Sequence, residues 1–311
     1  MKTLVYYAIG AILLSGYAAA APLNKAHISG DALWLVHLDL NAFKSSQFGR
    51  LALGEITQRQ QQKIDALTQL LGTDLTRDID AVTLYGPDAA QENAVALLYG
   101  RFDRNKLLTL LKLNDAYAES TYKNHLLYHW KDDKKQTAQV GAFWTDNCIV
   151  ISQTESAVGT ALDVLAGQAG SLAANPHSVL YELTNAPAGT ILLTAAQSLT
   201  ELTRNNPHAA ILQNSSIMAV VAGESSGIMK LQIRLDAASA EAAGQIETIV
   251  RGIMAFGLLQ QDKNPKLAPL MNAVTLTRQD NRLELVFQYS SAELFEMAKA
   301  DISHIELPAA L

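Results

Sequence analysis

Within Trp34-Leu35-Val36-His37-Leu38-Asp39 an imidazole and a carboxylate stand two residues apart in an otherwise apolar run. Residues two apart on a strand project from the same face, and a histidine beside a carboxylate is the pairing used for general-base catalysis. His37 and Asp39, with Tyr99 on a nearby strand, are therefore the one place where the sequence assembles acid–base chemistry on a surface. That chemistry would be hydrolysis. The competing and favoured account is a polar patch enclosed between a sheet and the element that covers it.

Other chemistry-bearing patterns are weaker. Gly223-Glu224-Ser225-Ser226-Gly227 satisfies the spacing of a nucleophile elbow, which needs a helix after the serine. The residues that follow, Ile228 to Leu235, alternate like a strand, so the segment reads as a hairpin turn. Asp301 and His304, three apart near the end of the chain, do not rescue a triad. His125 and His129 would share a helix face, but Leu126-Leu127-Tyr128-His129-Trp130 is strand-like, which sets the two rings about 13 Å apart. Asp74, Asp78 and Asp80 lack the glycine and distal glutamate of a calcium loop and suit turns and caps. Cys148, the only cysteine, lies in an apolar run and reads as a small core residue. No metal or cofactor is expected.

Two stretches supply the elements that position these residues, and they read alike. The first runs from strand Trp34–Leu40 through a long helical region to strands near 81–85 and 94–101. A helix near 104–112, a hairpin, a strand from Cys148 and a helix from Ser156 follow. The second repeats this order from Thr190 to Ala300, with a helix near 199–212 and a long one over 237–260. Arg101-Phe102-Asp103 and Arg234-Leu235-Asp236 each close a strand and supply an Asp suited to cap the next helix. Asp146-Asn147 and Asp280-Asn281 each mark a turn at a matching offset.

The expected fold is α+β: two tandem ferredoxin-like, split β-α-β halves with mainly antiparallel sheets and helices on one face of each. The halves would span 21–168 and 187–311, joined by a linker at 169–186. In the first half the third strand is apolar on both faces, Val95, Leu97 and Tyr99 against Ala96 and Leu98. That makes Val95, Leu97 and Tyr99, beside His37 and Asp39, the expected ligand or partner surface.

The chain has 311 residues, 49% hydrophobic and 17% charged, with a net charge of −6. This composition excludes long disorder, and the unclustered negative charge gives no basis for binding nucleic acid. Residues 1–20 have the charged start, short apolar run and alanine-rich end of a secretory signal peptide. Ala18 and Ala20 fit the small-residue rule for cleavage after Ala20. The apolar run is shorter than the roughly 20 residues that span a bilayer, and the long helix over 237–260 carries Glu241, Glu247 and Arg251. No transmembrane segment is expected in the mature chain.

Asp31-Ala32-Leu33-Trp34-Leu35-Val36-His37-Leu38-Asp39-Leu40, then Phe43 to Gly49, Asp78-Ile79-Asp80 and Gly100-Arg101-Phe102-Asp103 resemble motifs shared by exported bacterial proteins of unknown function. The resemblance spans the chain and its motifs are structural. It implies export and a duplicated α+β fold, and it carries no catalytic residues. The expected function is thus a non-catalytic binding or scaffolding protein, periplasmic or extracellular after cleavage near Ala20, whose partner is another envelope protein or a second copy. The alternative is a hydrolase with its site between the halves near His37 and Asp39.

Overall fold

Alternation of apolar and polar residues sets the strands, and a side-chain oxygen starts nearly every helix. In the computed structural model the described residues are 20–307 apart from 133, 135, 200–202, 204–212, 261, 263 and 264. Residues 1–19 of the expected leader and most of the expected 199–212 helix lie outside them. Strand β1 (Trp34–Asp39) is followed by helices α1 (Leu40–Ser45) and α2 (Gln47–Leu71), then β2 (Ile79–Gly86), β3 (Val95–Gly100) and α3 (Arg104–Leu111). Strands β4 (Ala118–Tyr122), β5 (His125–Lys131), β6 (Ala138–Thr145) and β7 (Cys148–Ser152) lead to α4 (Glu155–Leu165) and α5 (Val179–Leu183). Next come β8 (Thr190–Gln197), β9 (Ser215–Ser225), β10 (Ile228–Ala237), α6 (Ala240–Leu259), α7 (Leu267–Asn272), β11 (Val274–Gln279), β12 (Arg282–Ser290) and α8 (Ser291–Ser303).

Caps fix the helix starts. Asp39 accepts from the Ala42 N–H, Ser46 from Gly49, Asp103 from Lys106, Thr154 from Ala157 and Ser239 from Ala242. Asp103 caps α3 as expected. Asp236 does not cap α6; it lies in β10 and pairs with Arg234 and Arg282 at 2.9 and 3.0 Å. Helix α2 ends at Gly72, whose φ of 67° is the left-handed conformation that glycine adopts without a Cβ penalty.

The strands form one antiparallel sheet of 12 strands in the order β11-β12-β10-β9-β8-β1-β2-β3-β7-β6-β5-β4. Read outward from the central β1·β8 pair, the order is the same on both sides: first, second, third, last and next-to-last strand of each half, with β5 and β4 added beyond the first. This is not the split β-α-β order, in which the first and third strands are neighbours. The reason lies in α2. Its first turn is held by Glu224 near the β9–β10 turn, and its C-cap Gly72 lies against Asp103 just after β3. The helix therefore runs crosswise at the strand ends. The chain re-enters the sheet at the end where β1 left it, so β2 pairs antiparallel with β1.

Helices lie on both faces rather than one. On one face Leu35, Val95, Leu97, Val140, Val150, Leu193 and Ala219 pack against Val158 and Leu162 of α4, and against Ile28, Leu172, Leu180 and Leu183. The last three belong to the expected linker, which is an ordered part of the core. Both halves contribute to this cluster. On the opposite face α6 covers Leu235, Leu276 and Leu283 through Ala243 and Ile246, while α2 and α8 pack together through Leu53, Ile56 and Phe295.

Candidate functional site

His37 and Asp39 project from one sheet face, as their spacing requires, and both are buried, at 4% and 2% exposure. The imidazole Nε2 lies 3.0 Å from the Ala21 carbonyl. A carbonyl only accepts, so Nε2 carries the proton, and Nδ1 accepts from the Thr83 hydroxyl at 2.9 Å. Burial pushes the imidazole down to about 4, leaving it neutral. The Asp39 carboxylate accepts from the Ala42 N–H at 2.7 Å and the Ala21 N–H at 2.8 Å. Burial raises its pKa against the opposing effect of those N–H groups.

Both ring nitrogens are thus occupied, and Thr83, the hydroxyl within reach, is 1% exposed. His37 and Asp39 themselves line a cavity of about 650 Å³, bordered also by Ala20, Pro22, Leu23 and the 184–190 loop.

Val95 and Leu97 do not form a surface. At 4% and 0% exposure they sit in the main core beneath α4, because the apolar face that the sequence left unpartnered is covered by the chain's own helix and linker. Tyr99 shares the row of Asp39 through Ala81, yet its hydroxyl bonds to His27 at 3.1 Å and its ring stacks on that imidazole. The structure brings His37 and Asp39 together and assigns Tyr99 to other contacts.

The remaining candidates resolve into structural roles. Ser226 and Gly227, with φ of 51° and 74°, make the two-residue turn of the β9–β10 hairpin. Glu224 accepts from the Gln47 and Phe48 N–H groups at 2.6 and 2.9 Å, anchoring α2. On β5, His129 meets Ser120 and Glu155 while His125 packs on Trp144. Asp78 is paired with Arg77 and Arg101, and these hydrogen bonds hold it down at about 2 against its burial. Asp80 accepts from Asn41. The Cys148 thiol is buried, which pushes it up to about 12.

The sequence reading missed two features. The first is the outer face of α6. Ala242, Ala243, Ile246 and Val250 pack inward, while Ile249, Ile253, Phe256 and Leu259 are 47%, 62%, 63% and 79% exposed. A surface helix normally carries one apolar stripe; this one carries two. Ile249, Ile253 and Phe256 follow at helical spacing, a signal present in the sequence. The second feature is an apolar cavity of about 280 Å³ between α3 and the sheet, lined by Leu98, Leu107, Leu111, Phe143, Ile149 and Ile151 among others.

No protein-family model and no curated protein matches the chain. Among solved structures it is similar to TP0453. Crystal form III of that protein aligns with a TM-score of 0.50 and 8% identity, over 90% of this chain and 99% of that one. Crystal form I aligns with a TM-score of 0.46 and 11% identity, over 92% and 98%. At 8% identity the likeness to TP0453 bears on the fold, which extends over nearly the whole of both chains.

Proposed function

We propose that this chain is a non-catalytic exported protein of the bacterial periplasm or cell envelope, and that it docks on a lipid surface through the outer face of α6. The observation that carries the reading is the exposed row Ile249, Ile253, Phe256 and Leu259. Full burial of such a side chain is worth about 1.5–3 kcal/mol, so scaled by exposure the four contribute about 4–7 kcal/mol to a docked state. Association and ordering costs offset part of that.

The shape and chemistry of the row favour lipid. It lies on a helix of 20 residues, about 30 Å long. Gln245, Thr248 and Gly252 extend it without charge, while Glu247 is engaged with Arg251 and Arg278 at 2.8 and 2.7 Å. A helix of this kind lies in the plane of the interface with its apolar face among the acyl chains. The hydrolase alternative near His37 and Asp39 has less support, since both imidazole nitrogens and the carboxylate are already bonded inside the fold.

Flotation with vesicles tests the proposal. The mature chain is expected to float with zwitterionic and anionic vesicles alike, because the contact is apolar. Failure to float, together with a concentration-dependent dimer in sedimentation velocity that Phe256→Ser abolishes, would give the stripe to a second copy and overturn the lipid reading.

A further inference from the structure

We propose that the Ala20–Ala21 bond is cut on export and that the α-ammonium group created on Ala21 docks against the buried carboxylate of Asp39, so that His37 and Asp39 clamp the mature N-terminus. The inference rests on the export part of the proposed function and is independent of α6. The reaction adds water across the peptide bond: Ala20 leaves with the new carboxylate, and Ala21 keeps the nitrogen as an amine that is protonated at neutral pH.

Three observations converge. Ala18 and Ala20 provide the small-residue pattern for cleavage at this bond, and Ala20 is exposed. The Ala21 nitrogen lies 2.8 Å from Asp39 Oδ2, and the Ala21 carbonyl takes the His37 Nε2 proton at 3.0 Å. The first residue of the expected mature chain is thus gripped at both backbone groups by the two side chains that sequence singled out. Finally, Asp39 is 2% exposed and makes no ion pair within 4.0 Å among the described residues. The nearby Lys44 ammonium bonds instead to the carbonyls of Ile79 and Arg77 at 2.8 and 3.0 Å. A buried carboxylate without a cation is costly, and a terminal ammonium on Ala21 supplies that cation. The adjacent cavity, bordered by Ala20 and Pro22, gives the freed end room to settle.

The ionisable groups near Asp39 on the elements packed against it are His37 of β1, Lys44 of α1 and Asp80 of β2; the 184–190 loop and β8 contribute none. Lys44 favours the carboxylate form, and a neutral His37 is silent above pH 6. The ammonium is stabilised by the fold, so its folded pKa lies above the ordinary value of about 7.7–8.0. The extra stability is complete below that value and is lost as pH rises through the folded pKa.

The test uses the exported protein. Intact mass is expected to show a chain beginning at Ala21. That chain is compared by thermal melting with one whose amine is acetylated and one carrying a single extra glycine before Ala21. Both are expected to melt about 2–5 °C lower at pH 6.5, since a charged hydrogen bond is about twice as strong as a neutral one. The gap closes at high pH and in an Asp39→Asn background. The pH series needs no substitution, so the test survives if Asp39→Asn fails to fold. A chain that stays unexported with its leader overturns the export reading. Cleavage at another bond overturns the processing site, and equal melting of free and blocked chains at pH 6.5 overturns the clamp.

Discussion

Replacing Ile253 and Phe256 of α6 with serine separates the docking proposal from the stability of the fold. The two side chains are 62% and 63% exposed, so each already forfeits most of its burial in the isolated protein. Scaling about 1.5–3 kcal/mol per fully buried side chain by those exposures leaves the pair about 2–4 kcal/mol to contribute on a lipid surface. At about 1.4 kcal/mol per tenfold, the double variant should lose about 30-fold to several hundred-fold in vesicle affinity. Substitution at exposed positions away from special features shifts stability by only about 0.5 kcal/mol, so the melting temperature should barely move. The assay is a vesicle titration followed by flotation, with thermal melting alongside. Ile246→Ser is the internal contrast: that residue is 5% exposed and packs on the sheet, so it should destabilise the fold. Vesicle affinity within a factor of three of the parent chain, in a double variant that melts normally, would refute the reasoning.

Other outcomes follow from particular contacts. Asp78→Asn should cost about 1–2 kcal/mol at pH 7, discounted because its arginine partners are half exposed. The carboxylate's pKa is depressed to about 2, so its advantage is present above pH 4 and is lost as pH falls from about 4 towards 2, measurable by urea melts across that range. Glu224→Ala removes both acceptors from the first turn of α2 and should cost about 1–2 kcal/mol, with faster amide exchange at Gln47 and Phe48. Leu97→Ala, at a fully buried position, should cost about 2–5 kcal/mol in chemical denaturation; a cost below 1 kcal/mol would mean that this face is not packed as described.

Much of the local structure was legible. The Asp146-Asn147 and Asp280-Asn281 turns, the cap at Asp103 and the Gly223–Gly227 hairpin all depend on residues within a few positions of one another, and each occurs where the sequence placed it. Asp236 shows the limit. Its match to Asp103 suggested a cap, but β10 runs on to Ala237 and Arg282 on the neighbouring strand takes the carboxylate. No local signal announces a partner from another strand. The link between Glu224 and α2 is of the same kind, as is the burial of Val95 and Leu97. An apolar face says that something covers it and does not say what.

Alternation with a period of two belongs to the chain itself, so the sequence alone determined which side chains share a face, and it put His37 and Asp39 together. It also set the turns at Asp146-Asn147, Asp280-Asn281 and Gly223–Gly227 and the cap at Asp103. Tertiary structure decided the rest: that β1 pairs with β2 and β8, that one sheet carries helices on both faces, and that Ala21 bonds to both His37 and Asp39, beside Thr83 and Ala42. The physical reason is range. Side-chain direction and capping depend on neighbours along the chain, whereas pairing order, burial and the charge state of a carboxylate depend on groups brought close only when distant segments pack.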